Sequence, residues 1–87
     1  MNKLNRVDVT NLLKSGKTAI GLNQVLKMLS AGKVQTVVLA EDSDEFIKKQ
    51  IYDACGNNIN VALFASRREL GELSGLKVGA SAVAILR

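Results

Sequence analysis

Asn23, Gln24 and Lys27 lie at i, i+1 and i+4 just after Gly21, on the side of a helix opposite Val25, Leu26 and Leu29. Leu22, Val25, Leu26 and Leu29 themselves fall at i, i+3, i+4 and i+7, the spacing of a buried stripe that ends at Gly32. The exposed set therefore holds two amides, each both donor and acceptor, and one ammonium donor. Within the first two turns, free backbone N–H groups and the helix dipole favour an anion. Gly21, Leu22, Asn23, Gln24 and Lys27 thus form a candidate site that holds phosphate and reads base edges at once. The competing reading is an ordinary solvated helix face.

A second candidate is Leu76-Lys77-Val78, set between Gly75 and Gly79. A glycine-flanked loop of this kind is expected to present two aliphatic side chains able to pack against an unstacked base, as RNA recognition often requires. The alternative is that Leu76 or Val78 turns inward and closes the core.

Other chemistry is excluded by what is absent. With no histidine and a single cysteine, Cys55, the chain has no usual zinc ligand set, no intrachain disulfide and no Ser/His or Cys/His nucleophile pair. Cys55 shares a helical stripe with Ile47, Ile51 and Ala54 and is read as a small core residue. Glu41, Asp42, Asp44 and Glu45 cluster at a helix start, where acids are solvated or capping. Asp44/Lys48 and Glu45/Lys49 are expected i, i+4 pairs. No P-loop or GxGxxG pattern occurs. No catalytic residue, metal site or cofactor is expected.

The elements that must position these residues are short. Eighty-seven residues, 47% hydrophobic, make one domain whose core is aliphatic, since only Phe46, Tyr52 and Phe64 are aromatic. A first helix over about 4–15, with Leu4, Val7, Leu12 and Leu13, stops at Gly16, and Lys17–Ile20 reads as an edge strand. After the helix of residues 22–31, Val34–Ala40 is β-branched and almost continuously apolar, a central strand covered on both faces. A third helix ends at Gly56, and Asn60–Ala65 is a strand. Ser66 and Glu69 have capping-box form, opening a short helix with Leu70 and Leu73 inward, before a final strand over Ala80–Leu86. The order α-β-α-β-α-β-α-β predicts a single-domain α/β fold, a three-layer α/β/α sandwich with four strands.

Charge is uneven. Residues 1–40 carry six bases against one acid, Asp8, while residues 41–53 carry five acids against two bases, within a net charge of +4. A basic first half favours an anionic partner. The N-terminus lacks the apolar core of a signal peptide, and no uncharged stretch approaches the ~20 residues of a membrane span. A cytoplasmic protein is expected, with no membrane partner.

The blocks Gly21–Lys27, Ala31-Gly32-Lys33, Val37–Asp42, Ser66–Gly71 with Gly75, and Val78–Ile85 together resemble the L-seven-Ae/L-thirty-e ribosomal protein family. The likeness is strongest to its small bacterial single-domain members and extends from about Lys17 to Leu86. It implies a mixed four-stranded sheet between helices. It also implies binding to the kink-turn, a helix–bulge–helix RNA with tandem sheared G·A pairs. By position, Asn23, Gln24 and Lys27 would contact the guanines of those pairs and nearby phosphates. Leu76, Lys77, Val78 and Gly79 would cover a flipped-out bulge nucleotide.

Gln24 replaces the glutamate of many members, keeping a carbonyl acceptor without the charge. Ile20 replaces a lysine that often precedes the glycine, leaving Lys17 as the substitute phosphate contact. A monomer bound to structured RNA, ribosomal RNA among the candidates, is the expected ribonucleoprotein state. A-form RNA opens its major groove only where kinked or bulged, and few aromatics are available for stacking on single strands, so DNA and single-stranded RNA are not expected. The reading from a different class is a ribosome-associated structural or protein-interaction module using the same surface.

Overall fold

The apolar run Val34–Ala40 lies at the centre of the sheet, the position that its lack of a polar face requires. The computed structural model describes residues 2–87. Along the chain lie β1 (Asn2–Lys3), α1 (Arg6–Lys14), β2 (Thr18–Ile20), α2 (Leu22–Ser30) and β3 (Val34–Ala40). They are followed by α3 (Glu45–Cys55), β4 (Asn60–Phe64), α4 (Arg67–Leu73) and β5 (Ala82–Leu86).

The sheet is mixed, in the order β1-β4-β3-β5-β2. β4 is parallel to β1 and β3, while β5 is antiparallel to β3 and β2. The expected α/β sandwich is present, with its four strands and one addition. Asn2–Lys3 pairs with Ala62 and Leu63 at the far edge. Two residues are too few to show a period, so only the pairing defines this strand.

Alternation along β3 sends Val37 and Leu39 to one face and Val38 and Ala40 to the other. The first face is covered by α2 and α3 through Val25, Ile51 and Cys55. The second is covered by α1 and α4 through Val9 and Leu70. Val34 belongs with Val37 although they lie three positions apart, an odd step that alternation would send to opposite faces. The register slips between Val34 and Thr36, so a bulge at Gln35 absorbs one residue and restores Val34 to the α2 face.

Local signals set the helix ends. Asn5 Oδ1 accepts from Asp8 N at 2.8 Å and Asp8 Oδ2 accepts from Asn5 N at 3.2 Å, a reciprocal cap that opens α1. At α4, Ser66 Oγ accepts from Glu69 N at 3.3 Å, but the Glu69 carboxylate lies 3.6 Å from Arg6 instead of closing the box.

Some sequence expectations need correction. Val7 is exposed and Val9 takes its place in the core. Ala54 is exposed, so the α3 stripe narrows to Ile51 and Cys55, with Ile47 half-buried. Lys48 pairs with Glu45 at 3.2 Å, an i, i+3 contact in place of the expected i, i+4 pairs. α1 ends at Ser15 in a right-handed conformation, so Gly16 does not stop it by a left-handed turn. Burial raises the pKa of the Cys55 thiol, which is consistent with a core role.

Leu39 is fully buried at the centre of the larger cluster. Leu39→Ala is expected to lower unfolding free energy by roughly 2–5 kcal/mol. Urea denaturation followed by circular dichroism measures it, and a loss below ~1 kcal/mol would contradict the central packing role.

Candidate nucleic-acid interface

Ile20, the last residue of β2, pairs with Val83, and the next N–H, from Gly21, donates to Ala82 O at 2.9 Å. Gly21 then turns the chain with φ 92° and ψ 156°, a conformation essentially restricted to glycine. Its carbonyl accepts from Val25 N at 3.0 Å, which starts α2. No side chain caps this end. The first N–H groups within the helix, from Leu22 to Gln24, therefore lack intrahelical acceptors.

Asn23, Gln24 and Lys27 are exposed on α2. Among the described residues, none of the three makes a side-chain hydrogen bond or ion pair within the chain. Leu22 is half-buried against the core with Leu26, Met28 and Leu29, while Val25 is fully buried. One side of α2 is consumed by packing, and the other presents two amides and an ammonium beside free N–H groups.

The second candidate segment splits in two. Gly75, at φ 86°, donates to Glu72 O at 3.1 Å, and Leu76 N donates to Gly71 O at 2.9 Å. These are the two bonds of a Schellman motif, which folds the residue after the glycine back onto the helix. Leu76 accordingly packs against the cluster that contains Val9 and Leu70. Val78 points outward, 70% exposed, and Lys77 and Gly79 are exposed beside it. The loop thus presents one aliphatic side chain, not two.

Two close approaches hold the loop in place. A Cβ on Gly71 would lie 2.1 Å from Val78 O, so α4 accepts the loop only with glycine there. On the other side, Ala80 N donates to Arg67 O at 3.0 Å, and Arg67 N donates to Asp42 Oδ1 at 2.8 Å. Asp42 is thus a positioning group, which its place in an acidic run did not reveal. Gly71 was equally hidden; its signal in the sequence was a glycine inside a helical pattern.

The two segments converge at the start of β5. The exposed loop leads through Ala80 and Ser81 to Ala82, whose carbonyl holds Gly21. Lys17 is not brought to this place. It precedes β2, and Leu86 N donates to its carbonyl at 2.8 Å, so it lies at the opposite end of the sheet. At about 3.3 Å per strand residue, roughly 13 Å of chain separates Lys17 from Gly21.

Two of the acids near this end are engaged elsewhere. Glu41 lies 3.3 Å from Lys3, and Asp42 lies 3.8 Å from Arg67 Nε. Lys27 and Lys77 have no ion-pair partner among the described residues.

An α/β sandwich that presents an uncapped helix start next to a glycine-supported loop defines the class of protein. The chain belongs to the ribosomal protein L7Ae/L30e/S12e/Gadd45 family, whose model matches residues 4–87. It is 39% identical over 77 residues to a protein of Geobacillus thermodenitrificans named RNA-binding protein, covering 87% of this chain and 94% of the relative. It is 38% identical, over the same shares of the two chains, to the RNA-binding protein YbxF of Geobacillus stearothermophilus. The Giardia lamblia 15.5kD RNA binding protein superposes with a TM-score of 0.78, covering 91% of this chain and 68% of that one; at 23% identity this likeness shows the fold alone.

Gly71→Ala tests the loop support. The added methyl must displace the Val78 carbonyl, and overpacking of this kind costs typically 1–3 kcal/mol. A fall in thermal midpoint with selective broadening or shift of Val78 and Gly79 amide resonances is expected. Unchanged spectra at both positions would refute the close approach.

Proposed function

We propose that this protein is a non-enzymatic RNA-binding protein that recognises kink-turns in structured RNA and stabilises their bent form. The observation that carries the reading is the exposed, internally unpartnered set Asn23, Gln24 and Lys27 beside the open N-terminus of α2, with Val78 presented nearby. Family membership and relatives named RNA-binding proteins support it.

A duplex in A-form keeps base edges out of reach of a helix, whereas a kink opens the groove. In this reading the start of α2 enters that opening. The Asn23 and Gln24 amides meet the edges of the sheared G·A pairs, and the free N–H groups and Lys27 meet nearby phosphates. Gln24 keeps an acceptor for a guanine amino group. Val78, with Lys77 and Gly79 around it, lies against the flipped-out nucleotide, and Leu76 acts only by anchoring that loop.

Free kink-turn RNA exchanges between extended and bent shapes. A protein that binds only the bent one shifts the population by its differential affinity, and no bond is made or broken. The partner is RNA and not DNA, bound by a monomer in the cytoplasm as a ribonucleoprotein.

Electrophoretic shift of a consensus kink-turn, beside a control with the G·A pairs replaced, tests the assignment. The kink-turn is expected to bind tightly and the control weakly. Asn23→Ala removes a base contact worth roughly 1–3 kcal/mol, taking the DNA figure as a guide, so binding should fall about tenfold or more with the melting temperature unchanged. Equal losses on kink-turn and plain duplex would contradict base reading by Asn23. Affinity insensitive to salt would point to a protein-docking surface instead.

A further inference from the structure

Away from this site, Lys17, Lys33 and Arg87 line one open cavity of about 540 Å³, with Met28, Gly32 and Leu86 forming the rest of its wall. Three separate stretches of chain are brought there by backbone bonds. Leu86 N donates to Lys17 O at 2.8 Å and Arg87 N to Lys33 O at 2.9 Å. Lys33 N donates to Met28 O and Gly32 N to Leu29 O, both at 3.1 Å, a second Schellman closure that fixes Lys33 at the end of α2. Arg87 Nε donates to Val34 O at 3.3 Å, which orients the guanidinium.

The charged side chains that line the cavity are all cationic, with no Asp or Glu among them. Among the described residues, Lys3, Arg6, Lys48, Arg67 and Arg68 have carboxylate partners, whereas Lys17, Lys27, Lys33 and Arg87 have none. α2 carries no acid, and its exposed Lys27 stands between the helix start and this cavity. Unneutralised cations therefore continue from Lys27, past the middle of α2, to Lys33 beyond its end. The nine residues of α2 span about 13 Å at 1.5 Å each.

We propose that the Lys17–Lys33–Arg87 cradle is a second phosphate-binding surface, which holds the backbone of a helical stem leaving the kink. This rests on the kink-turn reading and extends it. At 3.4 Å per phosphate along one strand, taking the DNA figure as a guide, about 13 Å corresponds to roughly four nucleotide steps from the bases met by Asn23 and Gln24. An open, cation-lined concavity gives a small free anion little advantage over water. A polyanion already held by α2 meets it without a further loss of translational freedom. The RNA contact then has two parts, a base-reading end and a sequence-independent end.

The test compares wild type with Lys17→Ala/Lys33→Ala on a long-stemmed kink-turn across a range of salt. Both lysines are exposed and make no side-chain hydrogen bond among the described residues, so the melting curve should not change. The double variant is expected to bind several-fold more weakly at low salt, with the slope of log K against log salt reduced by about 2, near 0.9 per phosphate lost. Neutral methylphosphonate linkages placed three to six nucleotides from the kink, in each stem in turn, should abolish the difference for one stem. If wild type prefers the kink-turn while the double variant keeps the same slope, the cradle is overturned and the proposed function stands. If the difference survives neutralisation of both stems, the assigned location is overturned. If wild type shows no preference for the kink-turn, both readings fall together.

Discussion

The arrangement depends on where β5 lies. It is inserted antiparallel between β3 and β2, so its first residues reach the end of the sheet at which β2 and β3 finish. Helices α2, α3 and α4 all begin at that end. The single bond from Gly21 N to Ala82 O joins the start of α2 to the start of β5, and through Ser81 and Ala80 to the loop that carries Val78. Segments more than fifty residues apart in sequence thereby become one surface. Were β5 not paired with β2, the helix start and the loop would each be present but would not be joined by this bond.

Rigidity comes from glycines used in different ways. At Gly21 the backbone adopts a conformation that other residues reach only with strain, and this aims the helix start outward. At Gly71 the reason is space: the carbonyl of Val78 occupies the place of a side chain. Gly75 closes α4 and turns Leu76 into the core. The exposed aliphatic Val78 therefore sits on a loop fixed on both sides of it, which lowers the ordering cost of any contact it makes.

Charge is distributed by the same topology. The first two acids after β3 are used within the molecule, with Asp42 holding the N–H of Arg67 and Glu41 lying close to Lys3. The cations of α2 and of the far end of the sheet remain unneutralised. A net charge of +4 is modest, but Lys27 and the Lys17–Lys33–Arg87 group beyond the end of α2 belong to its unpaired portion, where a polyanion can meet them together.

The sequence by itself determined the alternation of helices and strands, the central place of Val34–Ala40, and the outward set on α2. Each of these follows from local periodicity, because an apolar stripe has only one way to face the core. The fifth strand, the bulge at Gln35 and the split between Leu76 and Val78 were not legible there. Two residues carry no period, a bulge is defined by its partner strand, and Leu76 turns inward only because α4 closes with a Schellman motif over a core already formed. Likewise Lys17 stands four residues before Gly21 in sequence, yet β2 is extended and carries it to the other end of the sheet. Proximity along a strand is distance in space, and only strand pairing decides which distant residues meet.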